Sequence, residues 1–391
     1  MPRFAACLLL VVGALHAETA LVLPFFNHSD SSNLDWIGES IAETVHDALA
    51  SEGVLTLDRV DRLEAYRRLS LRPGAELTHA SLIKVGDALD ASRVVYGYYE
   101  VLPGPRTGDQ SKSSLRITAR ILDLKRMTQG PAFSQVGALE DLALLEERLG
   151  WQALEASRPA GAPSEEEFLK ARPSVRLDAV ESYIRGLLAE GPAQRRRFFA
   201  QAARLDDHYS QPCFQLGKAY WEQQDYSVAA GWLGRVARSD PHYLEARFYL
   251  GLCRFHAGDF QGAEAAFQEV AAELPLNEVF NDLGAAQSQL NKSAEAIASY
   301  KKALEGDDAD PDYLFNIGYE QWRSGQFAAA VESFRGAVVR APDDTEATTL
   351  LGSALKQAGP RPGDVKSQGR QRLKTNYDEA AYRQLQAALA K

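Results

Sequence analysis

The cluster best suited to covalent chemistry is the run His28, Ser29, Asp30, Ser31, Ser32. Hydroxyls beside an imidazole and a carboxylate have the composition of a nucleophile–base set. Such a set works only if the base lies within hydrogen-bond reach of the hydroxyl. The same residues are what a polar turn ahead of a helix requires, and a turn is the expectation here. His46 falls on the polar side of its helical stretch and is expected to be solvated. No histidine or cysteine pair carries zinc spacing, and neither a GxxxxGK[ST] loop nor a GxSxG elbow occurs. The sequence therefore predicts no catalytic residue, no metal and no cofactor.

A second candidate is basic. Arg361, Lys366, Arg370, Arg372 and Lys374 face one nearby acid, Asp364, in a chain of net charge −10. This stretch could touch an anionic lipid or an acidic partner; the expectation is a mobile, solvated loop. With no overall basic field, nucleic acid is excluded as a general partner.

The 391 residues suffice for two domains, and 45% hydrophobic with 25% charged residues is ordinary for a folded chain. The opening MPRFAACLLLVVGALHA has a positive start, an apolar run and small residues, so residues 1–17 are predicted to be a signal peptide cut near Ala17. Ala14 is the alternative cleavage site, and the run is too short for a comfortable membrane span. The protein is thus expected to be exported and periplasmic, without a transmembrane segment in its mature form. Cys213 and Cys253 remain after cleavage and are expected to be two buried thiols, since their places on neighbouring helices do not face each other.

The elements that must position any site follow from a periodicity. Gly217, Gly251, Gly284, Gly318 and Gly352 recur at intervals of 34, 33, 34 and 34 residues. Each follows a large aliphatic residue, and an alanine comes twelve residues after the first four (Ala229, Ala263, Ala296, Ala330), then a bulky residue four further on. Such a period indicates stacked helix pairs, with glycine and alanine where two helices approach closely. Gly258, Gly325 and Gly359 occupy the turn, and Pro241, Pro275 and Pro342 stop the second helix. On these residues the stretch 178–391 resembles the tetratricopeptide repeat (TPR) family. The resemblance implies an all-α superhelical solenoid of about six helix pairs, the first and last irregular. In the last pair, NYDEAAYRQLQAALA resumes the pattern with Ala380 at the small position. Family geometry places Phe214, Lys218, Trp221, Phe248, Leu252, Phe255, His256, Phe315, Tyr319, Trp322 and Arg323 along a concave peptide- or protein-binding groove. That set lacks the lysine and asparagine pattern of a carboxylate clamp for an acidic chain terminus.

Residues 18–156 read as an α+β unit. LVLPFFN is a buried strand, DWIGESIAETVHDALASEG an amphipathic helix and VLTLDR a second strand. Helices near Val60–Leu71 and His79–Leu89 precede RVVYGYYEVL. After the polar loop Pro103–Ser113, SLRITARILDL alternates as a half-buried strand, expected to form a hairpin with the one before. A strand near Ala132–Val136 and a helix, Glu140–Leu154, complete a mixed sheet with helices on one side. The strand and turn LPFFNHS, the helix DWIGESIAETVHDAL and the strands VVYGYYEV and ITARILDL give this unit a resemblance to the TolB amino-terminal domain and to FlgO- and CsgG-like envelope domains. That resemblance implies a module making protein contacts in the envelope. Residues 157–177, rich in proline, alanine and charge, read as an exposed linker.

Together these features predict a non-enzymatic adaptor that binds a protein or peptide partner in the cell envelope. Two alternatives stay open: a structural subunit of a secretion or motility assembly, and a small-molecule or enzyme-like site in the cleft between the domains. The last would show as a pocket of convergent polar groups near His28 or the linker.

Overall fold

The computed structural model describes residues 19–29, 31–102, 114–158, 161–172, 175–360, 369–375, 378–379, 381–383 and 385. The expected signal peptide, Asp30, the loop 103–113, Arg361, Asp364, Lys366 and Ala380 lie outside these residues.

The first unit runs β1 (Thr19–Val22), β2 (Phe26–Asn27), α1 (Trp36–Ser51), β3 (Leu55–Thr56), α2 (Arg59–Arg68), α3 (His79–Ala88), β4 (Arg93–Leu102), β5 (Ser114–Asp123), β6 (Thr128–Gln129), β7 (Phe133–Ala138) and α4 (Leu142–Ser157). The sheet order is β3-β1-β4-β5-β6, with β2 added to β4 and β7 to β5. β1 pairs parallel with β3 and β4, whereas β4 and β5 form a long antiparallel hairpin from Arg93↔Asp123 to Leu102↔Ser114. The sheet is therefore mixed, as expected.

Its helices cover both faces, not one. Ala20, Val22, Val95, Ile117 and Ala119 pack against α1 and α4, while their neighbours Leu21, Leu23, Val94 and Leu122 pack against Ala65, Tyr66, Leu82 and Val85 of α2 and α3. Successive strand residues point to opposite sides, so LVL and VV serve two cores at once. Gly38 lets α1 approach the chain between β1 and β2 closely: a Cβ there would lie 2.1 Å from the Phe25 carbonyl oxygen.

The linker is not simply exposed. α5 (Glu165–Lys170) is started by a capping box between Ser164 and Glu167. Its Phe168 is buried, with the Arg172 guanidinium 3.7 Å from the ring centroid. Phe168 belongs to one apolar core that also contains Val45 of α1, Leu149 of α4, and Tyr183, Phe199 and Phe214 of the following helices.

The helical array comprises α6 (Leu177–Leu188) with α7 (Pro192–Leu205), α8 (Gln211–Glu222) with α9 (Tyr226–Leu233), α10 (Tyr243–His256) with α11 (Phe260–Glu273), α12 (Asn277–Gln289) with α13 (Ser293–Gly306), α14 (Pro311–Arg323) with α15 (Phe327–Arg340), and a final α16 (Thr345–Leu355). The repeated glycines explain the pairing. A Cβ would lie 2.4 Å from Leu233 at Gly217, 2.6 Å from Phe267 at Gly251, 2.7 Å from Tyr300 at Gly284 and 2.9 Å from Phe334 at Gly318. Each is a point of tight helix-to-helix contact. Gly352 differs, with nothing within 4 Å of its Cβ position. Gly258 and Gly325 turn with positive φ; after α16 that role falls to Gln357, not Gly359. Cys213 and Cys253 are buried and free. Among the described residues no helix is long and apolar enough to cross a membrane.

The end of the chain departs from the expected sixth pair. The repeat pattern predicts that residues from 377 onward close against α16, yet Leu373 and Tyr382 pack on the cluster of Phe248, Leu252 and Phe267 instead. The chain turns back into the array, and this is why Gly352 has no partner among the described residues.

Candidate functional site

The returning segment Gly369–Thr375 lies across α12 and α14 as irregular chain, neither helix nor strand. The fully buried Asn316 amide holds Arg372 twice: Arg372 N–H donates to Asn316 Oδ1 at 2.8 Å, and Asn316 Nδ2 donates to the Arg372 carbonyl at 2.9 Å. Asn281, also fully buried, donates to the same carbonyl at 2.7 Å and accepts from Asn316 Nδ2 at 2.8 Å. Two residues further along, Lys374 N–H donates to Asp282 Oδ1 at 2.8 Å. Gln371 is held by Ser288 at 2.8 Å and by Gln289 at 2.7 Å. These side chains read main-chain groups at a helix surface, which is how an extended peptide is recognised without a sheet edge.

Charge completes the site. Arg372 pairs with Asp312 at 3.1 Å and Asp344 at 2.7 Å, and its guanidinium carbon sits 3.5 Å from the Phe315 ring centroid. Lys374 pairs with Asp310 at 2.6 Å and Asp312 at 2.7 Å. Arg370 pairs with Glu346. Burial works against the Asp312 carboxylate, but Lys374 and Arg372 beside it hold its pKa below the usual value. Burial pushes the Asp282 carboxyl far up, although the Lys374 amide and Asn281 donate to it. The basic stretch, as far as it is described, is thus not a solvated excursion: Arg370, Arg372 and Lys374 are seated against acids of α14, α16 and the turns that lead into them.

The aromatic residues read from the sequence form the floor rather than an open stripe. Phe248, Leu252, Phe315 and Tyr319 are fully buried, and Phe214 and Trp322 nearly so. Trp322 Nε1 donates to the Ala358 carbonyl at 2.6 Å, holding the turn after α16. Arg323 ties α14 to α12 through the Ser288 carbonyl at 3.1 Å, and pairs with Glu320 of its own helix at 3.2 Å. Lys218 pairs with Glu245 at 2.8 Å. Trp221 and Phe255 are half-buried and His256 is exposed, stacked on Tyr226 at 4.5 Å. The structure therefore unites Phe315, Tyr319 and the charged strand, and leaves Trp221, Phe255 and His256 as a separate aromatic patch toward the first repeats.

Sequence reasoning passes over Asn281, Asp282 and Asn316. Counting each repeat glycine as the eighth position, Asn281 is at position five of a repeat left out of the groove reading. Asn316 is at position six, which that reading does not count. Two asparagines at buried helical positions were the available signal, because a buried amide needs partners.

The remaining candidates separate. The His28 ring stacks on Tyr98 at 4.5 Å, and its Nε2 lies 3.4 Å from Glu76. Ser29 Oγ donates instead to Asn27, which in turn donates to Asp35 at 2.7 Å. These contacts make a polar turn tied to the start of α1. His46 is paired rather than solvated. Burial opposes its charge, but the hydrogen bond with Asp47 and the Asp58 carboxylate 3.6 Å away outweigh this and raise its pKa to about 10.

Between the two units lies a cavity of about 640 Å³, lined by residues of α1, α4, the linker and the first repeats. Burial pushes Glu146 up to about 8 against the hydroxyls of Ser40 and Thr44. Burial likewise raises Glu147 to about 7 against Arg172, and Glu43 to about 7 with help from Glu39. Glu146 Oε1 is buried without a hydrogen-bond partner among the described residues.

Residues 214–278, 281–344 and 315–359 match the family model for the tetratricopeptide repeat. The helices within residues 214–359 are therefore tetratricopeptide repeats. Similar solved structures include MamA 41-end from Desulfovibrio magneticus RS-1, 20% identical, covering 44% of this chain and 100% of that one, with a TM-score of 0.39. YrrB, a TPR protein with an unusual peptide-binding site, is 18% identical, covering 46% of this chain and 92% of its own, with a TM-score of 0.41. A thermophilic TPR protein of Thermus thermophilus, TTC0263, is 18% identical and covers 46% of this chain and 99% of its own, with a TM-score of 0.33. No curated protein matches the chain.

Proposed function

We propose that this chain is an exported, non-enzymatic adaptor of the cell envelope whose repeat groove holds an extended segment of a partner protein. The observation carrying the groove reading is Asn316, which takes both main-chain groups of Arg372 while Asn281 reinforces the same carbonyl. Export rests on the leader-like residues 1–17, and envelope docking on the TolB-, FlgO- and CsgG-like pattern of strands and helices in the first unit.

The test is site-specific photo-crosslinking from Gln289 in intact cells, with and without Asn281→Ala plus Asn316→Ala. Partner adducts from the periplasmic fraction should vanish in the double variant; equal adducts in both would end the groove reading. Amino-terminal sequencing of the exported chain should begin after Ala17, and a chain retaining residues 1–17 in the cytoplasm would end the export reading.

A second reading attaches to the interdomain cavity, because Glu146 Oε1 lacks a partner there among the described residues. A small organic cation would pair with this carboxyl and draw it into its charged form. Stabilisation of the wild-type chain, but not of Glu146→Gln, in a thermal screen of primary amines and polyamines would support it; equal shifts would remove it.

A further inference from the structure

The segment now in the groove is part of the same polypeptide, so the groove is not vacant in the isolated chain. We infer that Gly369–Thr375 is a tethered stand-in for the partner, and that the partner segment it displaces is extended and basic, with two cations flanking an aliphatic residue as in Arg372-Leu373-Lys374. This rests on the groove reading above and specifies its ligand and its regulation.

Three observations carry it. First, the segment is held the way a ligand is held. It forms no helix or strand of its own, and Asn281, Asp282 and Asn316 grip its main chain at Arg372 and Lys374. A helical occupant would have its amides already satisfied and could not use these donors and acceptors. Second, the side-chain contacts of the two cations are ionic and only partly sheltered: Arg372 and Lys374 keep 22% and 20% of their side-chain exposure. Such contacts exchange for an equivalent segment, whereas an interdigitated apolar core does not. Third, Asp310, Asp312, Asp344 and Glu346 surround the segment. They select cations spaced two residues apart, the spacing that puts alternate side chains of an extended chain on one side. Leu373 between them packs against the cluster of Phe248 and Phe267, supplying the aliphatic requirement.

Tethering makes the self-contact hard to displace. A short covalent connection gives an effective concentration on the order of 1 mM, so a free peptide that would bind an open groove at about 10 μM is weakened roughly 100-fold by the closed one.

The experiment uses the full chain and a labelled peptide with the sequence of residues 369–375 (GRQRLKT), read by fluorescence anisotropy. In the variant Arg372→Glu plus Lys374→Glu, the strand's own cations become acids facing Asp312 and Asp344, and the groove is left otherwise intact. We expect the peptide to bind this variant about 100-fold more tightly than the unmodified chain. A peptide with glutamate at both cationic positions should bind neither. Adding Asn316→Ala to the released variant should abolish binding. Arg372→Ala plus Lys374→Ala, which places no like charges in the groove, gives the same readout if the charge reversal disturbs folding.

Equal affinity for the intact and released chains would overturn the self-occupancy while leaving the groove a peptide site. Equal binding of the basic and acidic peptides would overturn the assigned ligand chemistry. No binding to any released variant that retains its helical circular dichroism would overturn the groove reading itself. An intact chain that runs as a dimer and becomes monomeric with Arg372→Glu plus Lys374→Glu would show the strand seated in a neighbour's groove, and would overturn the intramolecular form.

Discussion

Asn316 Oδ1 and Nδ2 hold the amide and the carbonyl of Arg372 at 2.8 and 2.9 Å, so one side chain fixes one residue of a distant segment at both main-chain groups. Asn316→Ala leaves the Arg372 amide unpaired, its carbonyl still held by Asn281, at a cost of about 1–3 kcal/mol, which raises the released population by roughly 5- to 150-fold. Trypsin cleavage after Arg372 and Lys374 should accelerate accordingly under native conditions. Unchanged cleavage rates would show that the strand is held by something else.

The repeat glycines give a paired comparison. Gly251→Ala drives a Cβ to 2.6 Å from the Phe267 ring, which is packed in the core and has little room to yield. We expect about 1–3 kcal/mol of destabilisation from this overpacking. Gly352→Ala meets nothing within 4 Å and removes a flexible residue from helix α16. It should be neutral or stabilising by about 0.5–1 kcal/mol. Denaturant melts of both variants check this; similar losses at the two sites would mean that α16 does have a second helix packed on it.

Trp322→Ala is not a clean probe of binding. Trp322 is 4% exposed and its indole N–H holds the Ala358 carbonyl. Truncation should cost about 3–5 kcal/mol. The exposed turn after α16 should loosen first, visible as faster amide exchange at Gln357 and Ala358. Trp221→Ala, on a half-buried side chain, should be milder.

Glu43, Glu146 and Glu147 all have folded-state pKa values raised from 4.5 to about 7 or 8, chiefly by burial. Their contribution to stability is full below about 4.5 and is lost as pH rises through 7 to 8. His46 adds the same sign at higher pH, since its raised value favours the folded state below its ordinary 6.5 and fades toward 10. The melting temperature should therefore fall between about pH 5.5 and pH 8.5, and Glu146→Gln should flatten the lower part of that decline. A melting temperature that rises over this range would contradict the burial of these acids.

Much of the architecture was legible because it is repetitive. Glycine before a following bulky residue, as in Gly251 with Phe267, states a contact that any reader of spacing can extract. The α/β unit was legible by alternation, but not the helices on its second face: Leu21, Leu23 and Val94 look like core on either side until partners are known. The groove was read from the family's usual positions, which favoured Phe248 and Trp322 and passed over Asn281 and Asn316. The fate of Arg372 could not be read locally at all. A basic, irregular stretch is solvated unless distant acids meet it, and Asp310, Asp312 and Asp344 come from elsewhere in the chain. Likewise NYDEAAYRQLQ carries the pattern of a repeat helix, and only the contact of Tyr382 with the third repeat's apolar cluster shows that it went elsewhere.

The apolar core that passes unbroken from Val45 and Leu149 through Phe168 to Tyr183 and Phe214 has a mechanical consequence. It couples the sheet to the first repeats, so flexing at that junction would have to uncover buried apolar surface. A torque on the sheet is therefore passed on to the first repeats rather than absorbed where the two units meet.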